Sequence, residues 1–394
     1  MRFEEILNRY EKKELTTMEA SDLLGTSQRQ FLRKRIRYQE EGFDGQFDKR
    51  LGRRSGRRAE VGEVARITKL YEARYTGFSV KHFHEFATRE HGLKYGYTWC
   101  KNTLTRAGLV KVSKRGGPHR QRRPRKPMAG MMLHQDGSTH LWIPALGYNI
   151  DLIVTMDDAT SVITSAFFVL QEGTQSSMQG VKETIERYGL FCSFYTDRGS
   201  HYFYTAEAGE KVVKGHMTQF GRMLKQLGIK HISAYSPQAR GRSERMFGTL
   251  QNRLPKEIEL LGITTMEAAN DYLKNVYIPR HNAQFSMKPE DSTPAYTPWI
   301  GPDLNEICCV QEERVVRKDN TISYEGITLQ IPPHPMRHHF VKAQVEVRDY
   351  LDGSLALFYG HQCLGRYDRS GQFLPPLPMS EEIILLRKSC GKRG

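Results

Sequence analysis

The 394 residues carry 59 Lys and Arg against 44 Asp and Glu, a formal charge of +15, with 38% hydrophobic and 10% aromatic content. These fractions suit folded domains and exclude a disordered chain, and at roughly 100–200 residues per domain there is room for several. No apolar run of about 18 residues occurs, no secretory leader is expected, and six cysteines, two of them adjacent at Cys308-Cys309, do not make a disulfide framework.

The charge is uneven. Residues 1–128 hold 31 basic and 15 acidic side chains, a net of +16, whereas the remaining residues sum to −1. A polyanion-binding front ahead of a near-neutral body is the expectation. Within that front, Thr16-Thr17-Met18-Glu19 has the form of a capping box, and the helix it opens stops at Gly25. Thr26-Ser27 then caps a second helix over 28–40, which predicts a helix-turn-helix domain at 1–50. Phe31, Leu32 and Ile36 are expected to face inward. Gln28, Arg29, Arg33, Lys34 and Arg37 are expected to face a DNA groove.

A basic connector with Arg53, Arg54, Arg57 and Arg58 leads to a second helical unit at 59–110, also read as helix-turn-helix, with caps at Ser79 and Thr98. His82, His84, His91 and Cys100 fall here, but their spacing matches no closed zinc pattern, so they read as ordinary helix-face residues. Residues 111–128 form a basic linker in which Arg122, Arg123, Arg125 and Lys126 would lie along phosphates.

From 129 the pattern becomes three strands, helix, strand, helix, strand, helix, through about 285. That is the order of an α/β ribonuclease-H-like core. The first strand, 131–134, would end at Asp136 and the fourth, 191–195, at Asp197; Glu244 would sit one turn into the long last helix. First and fourth strands are neighbours in such a sheet, so these three carboxylates would converge. Hard oxygen ligands of that number suit Mg²⁺ or Mn²⁺, and two such ions about 4 Å apart serve in-line phosphoryl transfer. Asp157 and Asp158 compete as candidates, but a turn or capping role is favoured for both, and less strongly for Asp151. No Gly-rich nucleotide loop or nucleophile elbow is present.

Three segments then carry a resemblance. Gln135-Asp136-Gly137-Ser138, Tyr195-Thr196-Asp197-Arg198-Gly199-Ser200 and Ser236-Pro237-Gln238-Ala239-Arg240-Gly241-Arg242-Ser243-Glu244-Arg245 resemble the acidic motifs of DDE transposases and retroviral-type integrases. The continuation at 246–254, with 38–45 and 277–282, is similar to bacterial insertion-sequence transposases of the ISNCY group. The resemblance covers nearly the whole chain. It implies that Asp136, Asp197 and Glu244 are the catalytic, metal-binding triad. Pro237, Gln238, Gly241 and Arg242 would shape a DNA-meeting loop, with Arg198, Arg240, Arg242 and Arg245 steering phosphates. The implied reaction is phosphodiester hydrolysis and 3′-OH strand transfer into target DNA, in a bacterial, cytoplasmic, nucleoid-associated homo-oligomer (dimer or larger) on double-stranded DNA. The His₂Cys₂ zinc module of retroviral integrases is missing from the sequence.

Residues 266–277 are expected to be helical and 279–302 extended. Short strands separated by turn signals at Asp319-Asn320, Glu325-Gly326 and Asp352-Gly353-Ser354 predict a small β-barrel at 305–374, followed by a tail at 375–394. Two other readings are a catalytically silent DNA-binding regulator derived from a transposase and a stand-alone ribonuclease H. The first does not require the three intact acids, and the second has no use for the basic front.

Overall fold

The structure is a computed structural model that describes residues 2–48, 59–111, 124–204, 217–234, 237–335 and 337–374, with the backbone alone at 237–240. It divides into two compact units, Met1–Ala73 and Arg74–Gly394.

The first unit contains α1 (Arg2–Glu11), α2 (Thr17–Leu23), α3 (Gln28–Glu41) and nearly all of α4 (Val61–Arg74). Both expected caps close reciprocally: Thr16 with Glu19, and Ser27 with Gln30. Gly25 takes a left-handed φ of +61°, which lets the chain reverse between α2 and α3. Phe3, Ile6, Leu7, Ala20 and Phe31 make the core. Leu32 and Ile36 do not face inward; they are 38% and 53% exposed. The buried edge of α3 instead runs through Phe31, Arg35 and Tyr38, at helical spacing. The Arg35 guanidinium lies 5.5 Å over the Tyr10 ring and the Tyr38 hydroxyl donates to Glu4 at 2.6 Å. Amphipathic side chains here occupy positions that an apolar count assigns to leucine and isoleucine.

In the second unit, α5 (Val80–His91) and α6 (Tyr97–Arg106) precede a five-stranded sheet. Its strands are β1 (Leu133–His140), β2 (Ile150–Asp157), β3 (Ile163–Val169), β4 (Ser193–Thr196) and β5 (Lys230–Ser233), in the order β3-β2-β1-β4-β5. β1, β2 and β3 pair antiparallel, whereas β4 is parallel to β1 and to β5. This is the ribonuclease-H-like order, a mixed α/β core behind a helical N-terminal region. The helices α7 (Thr174–Tyr188) and α8 (Gln219–Gln226) pack on one face, over Leu133 and Phe194. The helices α9 (Pro237–Leu260), α10 (Met266–Tyr272) and α11 (Ile278–Phe285) cover the other, over Leu152, Val154 and Met156.

Two expectations are corrected. β1 does not stop at Asp136 but runs on to His140, with Asp136 paired opposite Val154. Its polar residues suggest a loop, yet β2 pairs with the strand along its whole length, from Leu133 to His140, while β4 joins it only at Leu133 and His134. Residues 279–285 are helical rather than extended: the chain runs without a break from α10 through a π-helical turn, Leu273–Tyr277, into α11, and the widened turn lies directly before Pro279.

The short helix α12 (Leu304–Ile307) leads into β6 (Val310–Val315), β7 (Thr321–Tyr324), β8 (Ile327–Gln330), β9 (Gln344–Asp349), β10 (Leu355–Tyr359), β11 (Gln362–Tyr367) and β12 (Phe373–Leu374). The pairing gives an open sheet, β12-β11-β10-β9-β6, and a separate β7-β8 hairpin that share one apolar core. The tail at 375–394 lies outside the described residues. No described helix is long and apolar enough to cross a membrane.

Candidate active site

Alternation along β1 sets the site. Gln135 points toward α7, where its buried amide donates to Thr155 Oγ1 at 3.0 Å and to the Ser177 carbonyl at 3.1 Å. His134, Asp136 and Ser138 share the opposite face. That face meets α9, for Gln251 Nε2 donates to Ser138 Oγ at 3.1 Å. Asp136 lies half-buried between His134 and Ser138.

Asp197 follows directly after β4. Its Oδ1 accepts the Gly199 N–H at 2.9 Å, and the Thr196 hydroxyl donates to its carbonyl at 3.0 Å. Asp136, on β1, and Asp197, just past the end of the neighbouring β4, line one narrow cleft with His134 and Tyr195, closed on the α9 side by Ser243. Glu244 is the next residue and is exposed. Hard carboxylate oxygens are the donors that Mg²⁺ or Mn²⁺ prefers, and two of the three candidate carboxylates share this cleft. Among the described residues, no three His, Cys, Asp or Glu side chains are gathered to hold a metal ion.

The competing aspartates have other work. Asp157 accepts from Gly130 N–H at 2.8 Å and caps the turn at Thr160 through its N–H and hydroxyl. Asp151 accepts the Glu172 N–H at 2.7 Å. Asp158, 0% exposed, accepts the Lys126 N–H at 2.8 Å, meets His134 Nε2 at 2.6 Å and forms an ion pair with Arg242. Burial alone would raise its carboxyl. The bonds from His134 and Lys126, with the charge of Arg242, hold it well below the usual carboxylate range.

Behind Asp136 stands a group that spacing does not reveal. Tyr202 is buried, and its hydroxyl meets Gln135 Oε1 at 3.0 Å and Glu172 Oε1 at 3.3 Å. Burial, and then the charge of Glu172, push its phenol well above the ordinary value; Asp197 and Asp136 add to the same effect. Glu172 also presses against Gly137, where a Cβ would stand 2.3 Å from its carboxylate. The one available signal was the glycine beside Asp136.

The residues expected to contact DNA divide. Gln28, Arg29, Arg33 and Arg37 are exposed on α3 and Lys34 is half-buried. Arg53, Arg54, Arg57, Arg58, Arg122 and Arg123 lie outside the described residues, as does the Arg240 side chain. Arg125 is half-buried and donates to the Asp158 carbonyl at 2.7 Å, so together with Lys126 it anchors the end of the linker. Arg242 is likewise held by Asp158. The expected DNA-meeting loop is helical from Pro237 onward, and a side chain at Gly241 would meet nothing within 4 Å, so sterics do not require glycine there. His82, His84 and His91 each take a separate partner: Glu257, the Tyr95 carbonyl and the Tyr75 hydroxyl.

No family profile matches the chain. It is 31% identical over 353 residues to a putative transposase, y4bF, of Sinorhizobium fredii strain NGR234, covering 89% of this chain and 77% of that protein. It is 30% identical over 338 residues to the transposase for insertion sequence IS1202 of Streptococcus pneumoniae, covering 77% of this chain and 72% of that protein. Among solved structures it is similar to a chain of the simian T-cell lymphotropic virus intasome in complex with PP2A regulatory subunit B56 gamma. That likeness has 16% identity and a TM-score of 0.32, covering 79% of this chain and 100% of that one. It is also similar to the magnesium-bound, dimeric HTLV-2 integrase catalytic core, at 17% identity and a TM-score of 0.28, covering 38% of this chain and 89% of that one. The structural likenesses are distant, and the fold stands on its strand order. Two relatives at this identity, each matched over more than two thirds of its length, decide the matter: the chain belongs to the transposases of bacterial insertion sequences.

Proposed function

We propose that the protein binds the terminal inverted repeats of its element, hydrolyses a phosphodiester there and joins the freed 3′-OH to target DNA. The observation that carries this reading is the placement of Asp136, on β1, and Asp197, just past the end of β4, in one cleft, in a chain of the transposase family. Asp136, Asp197 and Glu244 would hold Mg²⁺ or Mn²⁺, two ions being the expected number. The chemistry such ions supply when bound is activation of the attacking oxygen and neutralisation of the leaving one. The chain's own part is positional. β1 and the end of β4 carry two carboxylates, α9 carries the third, and Arg198 and Arg245, which follow Asp197 and Glu244 in the chain, would offer cationic side chains to backbone phosphates. The exposed basic face of α3 would read the ends, and two ends must be held together, so a dimer or larger on DNA is expected.

The test is strand transfer of a pre-cut end in Mg²⁺. Asp197→Asn should remove activity by several orders of magnitude and leave end binding intact. Activity near wild type would remove Asp197 from the site. The silent-regulator reading predicts no transfer from the wild-type protein either.

A further inference from the structure

The two acids that share the cleft sit on the sheet, but the third candidate rides on a separate helix, and something must set its place. α9 is tied to β1 at two points. On one side, buried Asp158 holds His134 of β1 at 2.6 Å and Arg242 of α9 in an ion pair. On the other, Gln251 of α9 donates to Ser138 of β1 at 3.1 Å. His134 and Ser138 are the residues two before and two after Asp136 on the same strand face. Arg242 and Gln251 bracket Glu244 on the helix.

We infer that Asp158 and Gln251 are positioning residues that brace α9 against β1 and so set Glu244 in register with Asp136. The inference rests on the proposed triad. Asp158 is held by His134, by the Lys126 N–H and by Arg242. Its charge is fully buried and its partners come from a strand, a helix and the end of the basic linker, so it ties the metal-bearing strand to the segment entering from the DNA-binding front. An apolar residue there would remove the buried carboxylate that pairs with Arg242, whose side chain is 10% exposed. Gln251 is neutral and half-buried, so it can be changed without that penalty.

The experiment uses the full chain and a plasmid carrying its coding segment with the flanking DNA. Asp158→Asn, Gln251→Ala, Asp197→Asn and wild type are compared for Mg²⁺-dependent turnover, DNA affinity and amide hydrogen exchange. Outer-shell changes of this kind typically cost about 10–100-fold. Asp158→Asn should lose turnover in that range, need more Mg²⁺ for half-maximal rate, bind DNA as wild type and exchange faster at 237–250. Gln251→Ala should show the same pattern more weakly while melting within a few degrees of wild type, which keeps the test open should Asp158→Asn fold poorly. Wild-type turnover and Mg²⁺ requirement in Gln251→Ala would overturn the brace. So would increased turnover in either variant, because the contacts would then restrain the helix. An active Asp197→Asn would overturn the triad and this role together. Inactive Asp197→Asn beside unaffected Asp158→Asn and Gln251→Ala overturns the brace alone.

Discussion

Gly137 shows how tightly the site is drawn at the level of single side chains. The Glu172 carboxylate occupies the space a Cβ would need, and the same carboxylate accepts from the buried Tyr202 hydroxyl. Gly137→Ala must therefore push Glu172 aside and disturb the hydrogen bonds behind Asp136. The atoms in the way are the end of a flexible, half-buried side chain, so the loss should stay below the roughly 1–3 kcal/mol of over-packing a closed core, and urea unfolding of the variant should show a small drop in midpoint. An unchanged midpoint would mean that the Glu172 side chain moves away freely. The meeting of Asp136 and Asp197 in one cleft was legible in the sequence, because the order of strands and helices places the first and fourth strands side by side. Asp158, Glu172 and Gln251 were not. Their partners are 84, 30 and 113 residues away along the chain, and no local pattern records such pairings.

At the level of elements, the caps at Thr16, Ser27 and Ser79 and the alternation of strands with helices could be read directly, because each depends on residues within a few positions of one another; the cap expected at Thr98 does not form, since α6 starts at Tyr97 after Gly96. β1 was the exception. Its composition is polar, and it is the pairing with β2 along its whole length that makes it a strand. The helix α3 misleads in a different way, since Arg35 and Tyr38 bury their apolar bodies where an apolar count places Leu32 and Ile36. The correction leaves Arg33 and Arg37 on an exposed face. Arg33→Ala with Arg37→Ala should weaken binding to end DNA. It should also reduce the slope of log affinity against log salt by about 2, one for each phosphate that the variant no longer neutralises. Binding that keeps its affinity and its salt slope would take α3 out of DNA recognition.

For the whole molecule, acid is the condition to which the fold should be most sensitive. Burial lowers His231 to about 4, and burial together with the charges of Arg253 and Arg280 lowers His281 to about 4, against an ordinary 6.5. Between those values the unfolded chain takes up protons that the folded chain refuses, so stability falls as pH drops from about 6.5 toward 4 and is level above that window. The low carboxyl of Asp158 adds a further loss only in stronger acid, below its ordinary 3.8. Melting temperatures taken across pH 8 to 4 should be flat and then decline through that window. A constant melting temperature down to pH 4.5 would show these imidazoles to be reachable by water in the folded protein.

The anion at Glu257 has a consequence for anyone who would cut this protein into pieces. It is 2% exposed on α9, and its partners are His82 of α5 at 2.8 Å, the Tyr272 hydroxyl at 2.6 Å and Arg280. Nearby, Arg253 holds Glu85 of α5 at 3.0 Å. A fragment beginning at residue 129, where the sequence changes character, would keep every strand of the sheet. It would also strip α5 away, exposing Glu257 to water on one side and leaving Arg253 without its acid. Losing the partners and the packing that α5 supplies to α9 costs on the order of a few kcal/mol, a large part of the roughly 5–15 kcal/mol that holds a domain together. A fragment beginning at residue 75 should therefore be recovered folded where one beginning at 129 is not. The break in charge and composition near residue 128 is therefore not the place at which the protein should divide.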